Sequence, residues 1–396
     1  MTVYERLEIS PGILSWARKT AGYSDAAAAA KKLAVKPEQV QAWEDGMLRP
    51  TIVQLRRMGK VYKRPLAVLL LPEPPKDFMP LREFRRMNGN ADLSWSPTLQ
   101  AEFKRAHTQR EVVLEIAEVS PSSIVISKSD FKIKSTMSAE DAGSHIRQLI
   151  GIDQWDSSIR GDPRLALRAA VTAVEQLGVL ILQTRGVSIK EMRGFSISDW
   201  PYPVIALNGS DWPRPRLFTL IHELTHLALN AGGICDLHET SKQSNLEQDR
   251  VERYCNEVAG AALMPAAALL ANRIVASRPK WDLDLLGDIC GGFSTSSEAL
   301  LLRLIDLGNA GWDDYRRLKP QLDALYEDAR KREKARQKAQ KSGPSFYVVK
   351  ARDLGHNYVI GVLDAFQSRA ISSYDVADYL DVKYNQLPKL CAALTP

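Results

Sequence analysis

Apolar residues in the first 70 positions recur at the spacing of short helices that follow one another closely. The pattern predicts helices at Ala26–Leu33, Pro37–Trp43 and Thr51–Tyr62. Gly46 interrupts the pattern, and Pro50 precedes the last of the three helices. The proline-rich stretch 71–76 then predicts a stiff boundary.

The middle of the chain alternates longer helices with short strands. Apolar positions at helical spacing predict helices at Ala139–Ile150 and Pro163–Leu177. Val179–Leu182 and Val204–Leu207 are runs of β-branched residues and leucine with the length of strands. Because the next hundred residues are again strongly helical, the pattern predicts an α+β, helix-rich fold with a small sheet.

These patterns divide the chain into five segments. They are an all-α domain at 1–72, a linker or arm at 73–110, a mixed domain at 111–312, a charged helix or tether at 313–343, and a helical C-terminal domain at 344–396.

The C-terminal segment repeats a spacing of apolar residues found near the N-terminus. The repeated positions are Ala30, Leu33, Val35 and Val40 in the first copy and Ala377, Leu380, Val382 and Leu387 in the second. Both copies fit a helix, a tight turn and a second helix packed back on the first. The two interpretations are a chance match and a second helix-turn-helix-like unit.

The stretch FTLIHELTHLAL, residues 218–229, contains the most specific motif of the chain. At about 3.6 residues per turn, His222 and His226 lie one above the other on one helix face. Their imidazoles can therefore bind one metal ion, while Glu223 lies beside them as a base for a water molecule. Leu220, Leu224, Leu227 and Ala228 form the apolar face, and Gly232-Gly233 is the predicted end of the helix.

A catalytic zinc ion needs a third protein ligand and one open position. The next helix offers Glu252, which borders a predicted buried stripe and is expected to point towards the core. Asn256, one turn on, is predicted to hydrogen-bond a ligating histidine or the Glu252 carboxylate. The competing ligands are Glu247, Asp249, Glu257, Cys255 and His238.

Zinc would lower the pKa of its water towards about 7, so that Glu223 can take a proton and later pass it to the leaving amine. Arg193 and Asn208 are candidates for contacts with the oxyanion or substrate, although a surface salt bridge is the alternative for Arg193. Val204–Asn208 is predicted to be an edge strand that holds an extended substrate. Mn²⁺ or Fe²⁺ is an alternative metal, since this ligand set is not strictly selective.

The HExxH helix and the later stretch ERYCNEVAGAALMP together resemble the ImmA/IrrE metallopeptidases. The resemblance implies a zincin-like domain with His222, His226 and Glu252 as zinc ligands and Glu223 as the catalytic base. It also implies cleavage of a partner repressor in response to stress, DNA damage or mobile elements. Tyr254, Cys255 and Val258 depart from the family pattern, which has an acidic residue, alanine and phenylalanine at these positions.

The N-terminal block resembles an XRE-type helix-turn-helix, which implies a recognition helix at Lys36–Trp43. The candidate DNA contacts are Lys36, Glu38, Gln39, Gln41, Lys31, Lys32 and Arg49. Glu38 and Glu44 oppose phosphate binding, which requires Lys or Arg. Docking of a partner repressor is therefore the alternative use of this domain.

Composition narrows the classes of protein only modestly. A net charge of +6 permits contact with nucleic acid without requiring it. Four cysteines without a CxxC pair, and a start without a leader sequence, predict a cytoplasmic protein that does not act in a membrane. The predicted function is cleavage of a protein substrate, a transcriptional repressor. The alternative is a DNA-binding regulator or antitoxin-type module with a non-proteolytic zinc site; the oligomeric state is not predicted.

Overall fold

The computed structural model describes residues 9–62, 64, 66–74, 96–124, 131–230, 243–339, 343 and 345–394. The chain forms two compact units, Met1–Arg105 and Ala106–Pro396. Helices and a single three-stranded sheet make up the described residues, which confirms the predicted α+β, helix-rich class. Among those residues, no helix combines the length and apolar character that crossing a lipid bilayer requires.

The first unit holds the short helices that the apolar pattern predicts. Its helices are α1 Pro11–Thr20, α2 Ala26–Leu33, α3 Pro37–Glu44, α4 Ile52–Tyr62 and α5 Leu66–Leu69. The Asp25 side chain accepts a hydrogen bond from the Ala28 amide and so caps α2. Ala34 ends α2 in the left-handed conformation, with a φ of 49°. The buried faces of α1 to α5 form one core.

The second unit contains the sheet and the remaining helices, and the unit boundary falls inside α6. Its elements are α6 Pro97–Val119, α7 Ala139–Leu149, α8 Ser157–Gly161, α9 Pro163–Gln176, β1 Leu180–Thr184, β2 Gly194–Ile197, β3 Val204–Asn208, α10 Pro213–Asn230, α11 Gln243–Leu263, α12 Ala266–Leu270, α13 Arg273–Ala276, α14 Leu283–Cys290, α15 Ser297–Asp306, α16 Trp312–Ala339, α17 Phe346–Leu354, α18 His356–Gln367, α19 Ser373–Tyr379 and α20 Leu387–Ala392. The predicted helix end at Gly232-Gly233 lies outside the described residues.

The sheet has the strand order β1-β3-β2, so that β3 lies in the centre. β1 runs parallel to β3, with Leu180 opposite Val204, and β2 runs antiparallel to it, with Ile197 opposite Val204. The prediction that Val204–Asn208 is an edge strand is wrong, because both of its sides are paired. All five residues of β3 are buried, as expected for a central strand.

The core of the second unit lies between the sheet and the helices around α10. α10 packs against α9, β2, β3 and α11, and α11 packs in turn against α7. The apolar face predicted for α10 is buried at Leu220, Leu224, Leu227 and Ala228. This packing holds α10 on several sides. The face that carries His222 and His226 remains outside the apolar core.

The outer edge of β1 is contacted by the C-terminal helices. Gly355, between α17 and α18, has a φ of +93° and approaches the Ile181 carbonyl closely. A Cβ added at Gly355 would lie 2.4 Å from that oxygen. On the α9 side, the backbone N–H of Asn357 donates a hydrogen bond of 3.3 Å to the Glu175 carboxylate. The start of α18 is thereby fixed to the sheet and to α9.

Gly355→Ala is expected to destabilise the second unit by about 2 kcal/mol or more, because the new Cβ meets a backbone oxygen at a φ that alanine avoids. Thermal unfolding of the full chain measures the effect. Gly161→Ala is the control, since a Cβ added there meets nothing within 4 Å. Equal melting of the Gly355→Ala variant and the wild type would contradict the close approach.

Candidate metal centre

The two histidines of the HExxH motif face the same side of α10. His222 and His226 are one turn apart and half-buried, with their ring centroids 4.8 Å apart. The opposite face of the helix lies in the core, so the apolar residues set the direction in which the histidines point. α11 crosses beside them and contributes Glu252.

The side-chain atoms of His222, His226 and Glu252 converge on one point. The two Nε2 atoms are 3.1 Å apart. Glu252 Oε2 lies 3.3 Å from His222 Nε2, and its Oε1 lies 3.2 Å from His226 Nε2. Ligands about 2.0–2.1 Å from a tetrahedral zinc ion are about 3.3–3.4 Å from each other. The three residues therefore fit one zinc ion with only small adjustments.

The charges around this point favour a cation. Hydrogen bonds from His222 and His226 hold the pKa of Glu252 well below its usual range. Burial lowers the pKa of His226, but hydrogen bonds with Cys255 and Glu252 outweigh burial and raise it overall. Metal ligands bind as ionised carboxylate and neutral imidazole, so a metal ion that binds here would take the place of a proton.

Glu252 reaches this point from the solvent side of α11. Its side chain is 57% exposed, so the expectation that it points towards the core is wrong. The buried face of α11 is taken by residues that pack on α7 and α10, such as Cys255 and Val258. Glu252 flanks that face and reaches both histidines from its exposed position.

Glu223 lies beside the three converging residues and is held by β2. Its carboxylate is buried, and Oε2 accepts a 2.7 Å hydrogen bond from the Ser196 hydroxyl. β2 passes close to α10, since a Cβ on Gly194 would lie 2.5 Å from Thr219 Cγ2 and 3.4 Å from Glu223 Oε1. Ser196 was not among the residues predicted from the sequence, because a lone serine in a short strand belongs to no motif.

Among the described residues, β2 is an edge strand of the sheet and lies next to this site. The Asn208 amide donates a hydrogen bond to the Arg193 carbonyl, so the alternating antiparallel ladder directs the backbone groups of Gly194 and Ser196 away from β3. Within the described residues, no strand pairs with β2 on that side. The edge strand and the candidate base thus meet at Ser196.

Arg193 and Asn208 both have partners within the protein. Arg193 forms an ion pair with Asp211 at 3.1 Å, as in the salt-bridge alternative. Asn208 is fully buried, and its amide nitrogen donates to the carbonyls of Val187 and Met192. Asn208 therefore shapes the loop before β2 and is not exposed to substrate.

Among the described residues, none of the other candidate ligands joins the group formed by His222, His226 and Glu252. Asn256 and Asp249 are exposed on α11, and Asn256 makes no hydrogen bond with the three converging residues in the described part of the chain. Cys255 is fully buried beside His226. The side chains of His238 and Glu247 lie outside the described residues.

The candidate DNA contacts of the first unit lie on and around α2 and α3. Lys31, Lys32, Lys36, Glu38, Gln41 and Arg49 are exposed, and Gln39 is half-buried. Gln41 donates a hydrogen bond to Asp45. Glu44 faces inwards, where it accepts hydrogen bonds of 2.7 and 2.9 Å from the buried Arg18. Only Glu38 therefore presents a carboxylate from α3 on this face.

Residues 174–304 match the Peptidase_M78 family model, described as the IrrE N-terminal-like domain. The match includes the whole sheet, α10, α11 and all three converging residues, and it covers about a third of the chain. It confirms the resemblance to the ImmA/IrrE family over this region. The searches of curated proteins and of solved structures give no significant match.

Proposed function

We propose that the chain is a zinc-dependent endopeptidase that cleaves a protein partner, an XRE-type transcriptional repressor, in response to stress, DNA damage or mobile elements. The observation that carries this proposal is the convergence of His222, His226 and Glu252 at zinc-ligand spacing, with Glu223 directly beside them. The peptidase family match supports it. The proposed ligand set also accommodates manganese or iron, which metal analysis of the purified protein distinguishes.

Each proposed catalytic residue has one task. His222, His226 and Glu252 hold the metal ion. Bound zinc supplies a Lewis acid that polarises the scissile carbonyl and makes water more acidic. Glu223 accepts the proton of the attacking water as the new C–O bond forms, and gives it to the amine nitrogen as the C–N bond breaks.

The edge of β2 is the proposed binding place for the substrate backbone. An extended peptide can pair with the outward groups of Gly194 and Ser196 as an added strand. Because the Ser196 hydroxyl also touches Glu223, a peptide bound there passes next to the proposed base. This placement requires an extended or unfolded segment in the substrate, such as a linker.

Ser196→Ala is expected to lower kcat by about tenfold or more, since a hydrogen bond to a charged group contributes about 1.5–3 kcal/mol. The KM and the bound metal should stay unchanged, and Ser196→Thr should restore the rate because it retains the hydroxyl. Steady-state kinetics and metal analysis measure these quantities. Ser198→Ala is the control in the same segment. A rate in Ser196→Ala equal to that of the control would show that Ser196 does not position the base.

The proposal is tested by comparing wild type with Glu223→Gln in the native host under stress. New protein N-termini are mapped by mass spectrometry, and co-purifying proteins are identified for each form. We expect repressor fragments only with the wild type, and the intact repressor bound to the variant. Identical N-termini and identical partners would reject the proposed peptidase activity under those conditions.

The second candidate function is a DNA-binding regulator or antitoxin-type module with a non-proteolytic zinc site. The exposed Lys31, Lys32 and Lys36 around the turn between α2 and α3 favour it. A structural zinc site would use a fourth protein ligand, whereas among the described residues only three converge. The same comparison separates the two functions, because a regulator alone binds the same DNA in both forms and cleaves nothing.

A further inference from the structure

The three helices α18, α19 and α20 repeat the backbone course of α1, α2 and α3. In both copies a left-handed residue follows the first helix, a side chain caps the second, and another left-handed residue lies just after the second. The paired residues are Gly22 (φ +83°) with Arg369 (φ 62°), the caps Asp25 with Ser372, and Ala34 (φ 49°) with Asp381 (φ 47°). In each of the three pairs, the two residues are the same number of positions apart in the sequence.

The backbone hydrogen bonds that shape the turns also correspond at that spacing. In the first copy, the amide-to-carbonyl bonds are Gly22 to Lys19 (3.0 Å), Tyr23 to Arg18 (3.2 Å), Val35 to Ala30 (3.1 Å) and Gln39 to Lys36 (3.0 Å). In the second copy, the corresponding bonds are, in the same order, Arg369 to Phe366 (3.0 Å), Ala370 to Ala365 (2.9 Å), Val382 to Ala377 (3.0 Å) and Gln386 to Lys383 (2.8 Å). Four matching bonds at one spacing are not expected from a chance match of apolar residues.

Burial follows the same correspondence. The buried residues of the second and third helices are Ala29, Leu33, Val40 and Trp43 in the first copy and Val376, Leu380, Leu387 and Leu390 in the second. In the first copy these residues belong to one core, and in the second copy the corresponding positions are buried in the same order. The outward positions therefore correspond as well, so that Lys383 stands where Lys36 stands.

We infer that residues 356–392 form a second helix-turn-helix unit and that this unit binds duplex DNA. This goes beyond the proposed peptidase and does not depend on it. The binding face is the start of the third helix, where a helix-turn-helix presents side chains to the major groove.

This face carries groups suited to DNA. Lys383, Tyr384, Asn385 and Lys389 are all exposed, with Tyr384 56% exposed. Lysine and tyrosine side chains contact phosphates, and asparagine can pair with adenine. Asn385 takes the place of Glu38, and the segment 383–392 contains no acidic residue. The third helix is thus free of the carboxylate that Glu38 adds to the N-terminal face.

Two carboxylates lie near the turn and set the expected strength of binding. Asp378 stands where the N-terminal unit has Lys31, and it is exposed. Asp381 is also exposed and forms an ion pair with Lys350 at 2.5 Å. The C-terminal unit therefore makes fewer phosphate contacts, and its affinity for DNA is lower than that of a unit with three exposed lysines.

The test uses the full chain with the N-terminal face reversed by Lys31→Glu, Lys32→Glu and Lys36→Glu. Fluorescence anisotropy with a mixed-sequence DNA duplex is recorded over a range of salt concentrations. We expect residual, salt-sensitive binding, which Lys383→Glu with Lys389→Glu weakens by more than about tenfold. The slope of log K against log salt should fall by about 1–2, as expected for the loss of one or two phosphate contacts.

The matched control reverses the charge of two other lysines, with Lys190→Glu and Lys280→Glu on the same background. Both residues are exposed and lie outside α18 to α20. Circular dichroism and melting check that the variants fold. Absence of residual binding, or equal loss in the control and the Lys383 and Lys389 variant, would overturn DNA binding by this unit. DNA binding by this unit would also be overturned if the Lys383→Glu, Lys389→Glu variant alone lost a protein partner while its DNA binding stayed unchanged.

Discussion

Glu223→Gln is expected to lower kcat/KM on the protein substrate by about a thousandfold, within the range of about 10²–10⁴ that a general base contributes. The amide cannot take a proton from water, although it keeps the size of the side chain. The Ser196 hydroxyl can still donate to its carbonyl oxygen, so the local packing should hold. The bound metal should remain, because Glu223 is not among the three converging residues.

The control for this prediction is Glu257→Gln, which makes the same chemical change on α11. Both variants are compared with the wild type by turnover of purified substrate and by metal content. Activity within tenfold of the wild type would rule out Glu223 as the base. Loss of metal together with activity would instead make Glu223 a ligand.

Zinc is expected to stabilise the wild-type chain, and Glu252→Gln should abolish most of that effect. At a hundredfold excess over Kd, a ligand that binds only the folded state stabilises it by about 2.7 kcal/mol. Loss of an outer partner of a metal ligand already costs about 10–100-fold in affinity. Since Glu252 would bind the metal itself, its loss should cost more than about 100-fold.

Thermal unfolding with added zinc or with a chelator measures this effect, and competition with a zinc indicator measures the affinity. Asp249→Asn is the matched control, because it neutralises another carboxylate of α11 that lies outside the cluster. If zinc raises the melting temperature of Glu252→Gln as much as that of the control, the third ligand is another residue.

The sequence was sufficient to predict the helix that carries the histidines. His222 and His226 are four residues apart, and the apolar residues on the other face leave one orientation for a buried helix. Glu252 was also identified, since it borders the buried stripe of the next helix. Its exposure could not be predicted, because that depends on how α11 crosses α10.

The sheet was predicted less well. β1 and β3 are long apolar runs, whereas β2 has four residues and alternates in burial, so it was not found. The order of the strands depends on long-range pairing, which is why β3 was taken for an edge. Ser196 was missed for the same reason, since a serine gains its role only when β2 crosses α10.

The C-terminal helices that cover β1 have a consequence for experiments on fragments of the chain. A fragment limited to residues 174–304 contains the complete sheet and the metal centre but lacks Gly355 and the helices beside it. The outer backbone groups of β1, including the Ile181 carbonyl, would then be open to strands of other molecules. Exposed edges of this kind promote aggregation, so the fragment should precipitate where the full chain remains dispersed.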